Sequence, residues 1–140
     1  MSAESNVALI QRFYDEGWNA KNLDVYDELV TDDFVDHQAV PGLPEGREGF
    51  KMLNAMFRSA FPDVWVYVEN IVAEDDKVSC RWRSTGTHQG ELFGIPATGR
   101  SVDITATVWY RIENGRPAEG WINRDDVGMM RQLGVIPTPG

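Results

Sequence analysis

Val102-Asp103-Ile104-Thr105-Ala106-Thr107-Val108-Trp109-Tyr110-Arg111 alternates without a break. Val102, Ile104, Ala106, Val108 and Tyr110 fall on one parity and the polar residues and Trp109 on the other, so a strand here has one apolar face and one mixed face. Asn114-Gly115 follows as a two-residue hairpin signal, and Asp75-Asp76 marks another turn upstream. From Val64 onward the chain therefore reads as antiparallel strands, with a further turn over Pro96 to Arg100. Val78, Cys80 and Trp82 define an inward parity on their strand, and His88 falls on it. The same count on the last strand puts Glu119, Trp121, Asn123 and Asp125 on one side, where two carboxylates and an aromatic would share a cavity wall.

Upstream of Val64 the period is helical. Val7, Ile10, Phe13, Tyr14 and Trp18 recur at three- and four-residue steps, with Ser5 available as a cap. Leu23, Tyr26, Leu29 and Val30 repeat the signal in a shorter helix, which Thr31-Asp32-Asp33 breaks before an extended Phe34-Val35-Asp36-His37. Pro41, Gly42, Pro44 and Gly46 form an irregular loop, and Phe50, Leu53, Phe57, Ala60 and Phe61 mark a third helix that Pro62 stops. A last short helix runs from Asp126 to Leu133. Helices first and long strands afterwards predict an α+β domain with three helices packed on one face of a curved, mainly antiparallel sheet.

The 140 residues, 42% apolar and 11% aromatic, match one domain over residues 1–140 with material for a core and a cavity. A net charge of −9 repels phosphate backbones and anionic headgroups, which excludes nucleic acid and membrane surfaces as expected partners. No apolar run approaches a membrane span and the first residues lack a signal-peptide pattern, so a cytoplasmic location is expected. The single cysteine, Cys80, makes no internal disulfide and fits a reducing compartment.

Two distant histidines, no paired cysteines, no glycine-rich phosphate loop and no Gly-x-Ser-x-Gly elbow leave no metal-ligand cluster and no usual nucleophile. Neither a metal nor a cofactor is expected, and proton transfer by a carboxylate remains. Asp125, four residues beyond Trp121, reads either as an acid sheltered from water or as the cap of the last helix, a role Asp126 also fits. His88 reads as a cavity histidine or as a structural one bonded to a carbonyl. Glu119 is a wall carboxylate or a paired surface residue. Asp36 and His37 line a cavity mouth or tether the loop that follows. Trp18, Trp65, Trp109, Met52, Met56 and Met129 shape a pocket for a flat ligand or fill the core.

Phe34-Val35-Asp36-His37, Gly86-Thr87-His88-x-Gly90, Gly94-Ile95-Pro96-x-Thr98-Gly99-Arg100 and Trp121-x-x-x-Asp125-x-x-Gly128-x-x-x-Gln132-Leu133-Gly134, taken together and in order, resemble the SnoaL-like polyketide cyclase family. That resemblance implies the NTF2-like and ketosteroid-isomerase-like superfamily, a cone in which a sheet wraps three helices around a deep pocket. It implies a cofactor-independent intramolecular aldol closure on a polyketide ester, with Asp125 matching the family's acid/base and His88 its motif histidine, placed to orient an ester carbonyl. Tyr14, Asn54 and His37 are further candidates implied as substrate contacts, and the strand count adds Trp121 and Glu119. Cyclases of the family tend to carry a histidine on the strand before the acid, and this chain has Trp109, Tyr110 and Arg111 there.

The leading expectation is a polyketide (ester) cyclase acting on a small hydrophobic carbonyl molecule. An epoxide hydrolase-like or ketosteroid isomerase-like enzyme on the same scaffold, and a protein that binds a lipophilic ligand unchanged, are the alternatives. The mixed face carrying Thr107 and Trp109 predicts sheet-to-sheet pairing in a homodimer.

Overall fold

The computed structural model describes residues 2–137. A reciprocal pair of hydrogen bonds opens helix α1 (Ala3–Arg12): Ser5 N donates to Ser2 Oγ and Ser2 N to Ser5 Oγ, each at 3.0 Å. Ser2 is thus the cap and Ser5 its partner in the first turn, and the helix begins at Ala3 rather than Val7. It then widens into a π-helical stretch (Phe13–Asn19), closed where Ala20 N donates to Asp15 O at 2.9 Å. Gly17 sits in that stretch because a Cβ there would stand 2.1 Å from the Tyr26 hydroxyl. Tyr26 begins the short α2 (Tyr26–Leu29), which follows a 3-10 turn, Leu23–Val25.

The extended segment after Asp33 contributes β1 (Val35–Asp36), and α3 (Gly46–Ala60) follows the Pro/Gly loop. Long strands β2 (Trp65–Glu74), β3 (Lys77–Thr87), β4 (Ser101–Glu113) and β5 (Arg116–Arg124) lead to α4 (Asp126–Leu133), which starts and stops where the sequence places it. The sheet order is β1-β5-β4-β3-β2, antiparallel throughout except that β1 lies parallel to β5. Asn114 and Gly115 both take positive φ, 50° and 75°, as a two-residue hairpin turn requires.

Strand parity on β3 and β4 holds: Val78, Cys80 and Trp82, with Val102, Ile104, Ala106, Val108 and Tyr110, are buried. All but Val102 and Ile104 pack against Ile10, Phe13, Tyr14 and Tyr26, those two join Phe57, Phe61 and Met129 instead, and burial pushes the Cys80 thiol up to about 12. On β5 the register shifts. Arg111 pairs with Glu119 and Ile112 with Pro117, so Ala118 is an extra residue, a bulge. Beyond it Tyr110 pairs with Gly120, Val108 with Ile122 and Ala106 with Arg124. The inner face of β5 therefore carries Gly120, Ile122 and Arg124, and the expected wall of Glu119, Trp121, Asn123 and Asp125 belongs to the other side. Trp65, Trp109 and Met52, expected around a pocket, are exposed, together with Tyr67 and Val72. Among the described residues no helix is long and apolar enough to cross a membrane.

Candidate functional site

An apolar cavity lies between the concave sheet face, the π-helical stretch and α3, with Met129 of α4 at its edge. The π turn brings Phe13, Tyr14 and Trp18 to its wall. Tyr14 is the polar centre of this wall: its hydroxyl is 2.5 Å from that of Tyr110 and accepts a hydrogen bond from Trp82 Nε1 at 3.1 Å. Burial pushes both phenols well above their ordinary range, and the Tyr14 and Tyr110 hydroxyls stay protonated at neutral pH. On α3, Asn54 Nδ2 donates to the Tyr26 hydroxyl at 3.3 Å, which in turn donates to Phe13 O. Asn54 Oδ1 is buried with no hydrogen-bond partner among the described residues. Such an acceptor costs on the order of 1–3 kcal/mol unless something in the cavity donates to it. Tyr14 and Asn54, both implied as substrate contacts, thus line the cavity.

Two charged side chains join this apolar wall, Asp36 and Arg124. Asp36 faces Gly120 across the parallel β1–β5 pair, and its Oδ1 accepts from Gln38 N at 2.9 Å. Gln38 is itself tied down, because its Oε1 accepts from Ile122 N at 2.6 Å. Of the two readings open for Asp36, cavity mouth and loop tether, the structure supports both. Arg124 closes the other end of the β5 wall, its guanidinium 4.7 Å above the Phe57 ring.

The expected acid stands elsewhere. Asp125 is exposed and caps α4, its Oδ1 accepting from Gly128 N at 2.9 Å, and it is absent from the cavity wall. The expectation that its carboxyl faces a dry hollow is therefore corrected, and the physical reason is the β5 bulge, which turns this parity outward. Glu119 and Trp121 share that outer side. Glu119 is clamped between His37 Nε2 at 2.7 Å and Arg111 Nε at 2.6 Å, and these two hydrogen bonds hold its carboxyl below the usual range. The His37 ring stacks on Trp121 at 4.5 Å with a 4° interplanar angle. His37, Glu119 and Trp121 thus form one cluster, outside the cavity rather than in it.

His88 is buried as its strand parity predicts, yet it does not line the cavity. Its Nδ1 accepts from Thr98 N at 3.2 Å and lies 3.0 Å from Thr98 Oγ1, which assigns the proton to Nε2. The ring packs against Phe61, 5.3 Å between centroids, and ties the turn before β4 to the end of β3. Among the described residues no three of His, Cys, Asp and Glu gather as metal donors.

The SnoaL-like polyketide cyclase family model matches residues 8–133. The chain belongs to this family. Across 138 residues it is 29% identical to the aklanonic acid methyl ester cyclase DauD of Streptomyces sp. (strain C5), covering 95% of this chain and 84% of that one. Among solved structures, TsrD from Streptomyces laurentii is 26% identical with a TM-score of 0.89, over 97% of this chain and 99% of that one. IdmH from Streptomyces antibioticus is 34% identical with a TM-score of 0.80, over 92% and 98%. The helices packed against a curved five-stranded sheet are accordingly the NTF2-like fold of this SnoaL-like protein.

Sequence reading passed over Arg124 and Gln38, and it named Tyr14, Trp82 and Tyr110 without joining them into one group. Tyr110 and Trp82 were legible, since each sits on an inward parity of its strand. Arg124 was not, because its parity depends on one unpaired residue.

Proposed function

We propose that this SnoaL-like protein closes a ring by carbon-acid chemistry on a small apolar carbonyl compound held in the cavity, with Asp36 taking and returning the proton. The observation that carries this reading is that Asp36 is the only carboxylate among the described residues lining the cavity. A carbon flanked by carbonyls loses its proton to Asp36, and the charge spreads into an enolate. The enolate carbon then attacks a second carbonyl carbon to form the ring bond, and the resulting alkoxide takes the proton back from the Asp36 carboxylic acid. Proton inventory and charge balance over the two steps.

Tyr14 suits the developing oxyanion. If Trp82 Nε1 and the Tyr110 hydroxyl both donate to it, its own proton is free to point at the ligand, an arrangement held in advance by packing. Asn54 Oδ1 accepts from a substrate hydroxyl.

Aklanonic acid methyl ester, named for the Streptomyces relative, and the corresponding free acid are the starting substrates for the test. Asp36→Asn keeps shape and removes the base, and kcat is expected to fall by about 10²–10⁴. Asp125→Asn keeps a good helix cap and is expected to leave turnover near that of the parent. The reverse pattern, with Asp125→Asn inactive and Asp36→Asn active, refutes the assignment to Asp36.

A further inference from the structure

Asp36 and Arg124 stand at opposite ends of one apolar wall. Asp36 is level with Gly120, and Arg124 lies four residues further along β5, a separation of about 13 Å at strand rise. Ile122 is the cavity-facing residue between them. A ligand lying along β5 with a reacting carbon at Asp36 therefore extends toward a guanidinium.

The guanidinium is held but not used up. Arg124 Nε donates to Asp126 Oδ1 at 2.7 Å, and the plane rests on the Phe57 ring. Its two terminal nitrogens make no hydrogen bond to the described residues, while the side chain is only 20% exposed. A forked, permanently charged donor set, fixed in plane at the end of an apolar cavity, matches the two oxygens of a carboxylate. An ester offers it one neutral carbonyl oxygen. The negative field of the molecule opposes anions at long range, but salt screens that field beyond about 8–10 Å, so the contact at Arg124 decides.

We propose that Arg124 is a carboxylate anchor and that the cavity selects apolar carbonyl compounds bearing a free carboxylate over their methyl esters. This inference rests on the cavity being the substrate site, and it names the substrate class of that site. It needs no turnover.

The probes are 2-naphthoate and methyl 2-naphthoate, which share one flat apolar body, with binding measured by equilibrium dialysis against the full chain. The parent protein is expected to bind the carboxylate about tenfold or more tightly than the ester, the scale of a charge-assisted hydrogen bond. Arg124→Gln should abolish that preference by weakening the carboxylate alone. Arg124→Lys, which keeps the charge and loses the fork, should retain part of it. Equal binding of the two probes by the parent overturns the proposal, and that comparison stands even where a variant does not fold. Equal weakening of both probes in Arg124→Gln overturns it too, since it reduces Arg124 to a staple for Asp126. If neither probe binds, the cavity reading falls along with the anchor. An active Asp36→Asn with the carboxylate preference intact removes only the proton-transfer assignment.

Discussion

Asp63 shows how a single exposed carboxylate sets a pH limit. It accepts from Thr87 N at 2.7 Å and from Thr87 Oγ1 at 2.8 Å, and these bonds hold its carboxyl below its ordinary value of 3.8. Glu119 is depressed in the same direction by His37 and Arg111. A group whose folded-state value is depressed contributes stability that is complete above its unfolded value and lost as pH falls through the folded one. The urea midpoint is therefore expected to drop between about pH 5 and pH 3, the window set by unfolded carboxylates. Asp63→Asn should drop less than the parent over that interval. An unchanged slope would remove the Thr87 bonds from the account. Asp125 carries the residue-scale lesson about legibility: an aspartate before a helix satisfies both a cap and an acid pattern, and only solvent exposure separates them.

At the scale of elements, β5 explains what sequence reading lost. Counting out from the Asn114-Gly115 turn without interruption pairs Tyr110 with Glu119 and Val108 with Trp121, which turns Glu119, Trp121 and Asp125 inward. One extra residue at Ala118 reverses each of those assignments. Hydrophobicity gives no warning, because the true inner face holds a glycine and an arginine while the outer one holds a tryptophan. By contrast β4, whose apolar parity is unbroken, was legible residue by residue. The turn ahead of it rests on His88 and Thr98, whose Oγ1 also accepts from Arg100 N at 3.2 Å. Thr98→Val keeps the bond from its backbone N to His88 Nδ1 and loses those of Oγ1, so it is expected to lower unfolding free energy by about 0.5–1.5 kcal/mol, the net worth of a hydrogen bond. Chemical denaturation reads that loss, and turnover near the parent value would separate a structural His88 from one that orients substrate.

For the whole molecule, the order of helices and strands was legible because its signals are periodic and local. The cavity was legible only as an excess of aromatic residues, since which aromatics line it depends on how the sheet curves. Trp65 and Trp109 illustrate this: they lie with Tyr67 and Val72 on the outer side of the sheet, exposed. Apolar side chains on the outside of a sheet favour association with a second copy. Static light scattering is expected to give about twice the chain's 15.8 kDa, and Trp109→Asp to return it to the monomer mass. A monomeric parent at working concentration would contradict this.

The bulge at Ala118 also has a genetic meaning. Losing Ala118 itself would merely regularise the ladder and leave both faces as they are, whereas losing Gly120 with the bulge kept would invert everything after it. Trp121, Asn123 and Asp125 would then swing into the hollow while Ile122 and Arg124 swung out. A single codon thus separates two chemically opposite linings, and descendants of a common ancestor that differ by one residue in this strand need share no reagents inside the same shell.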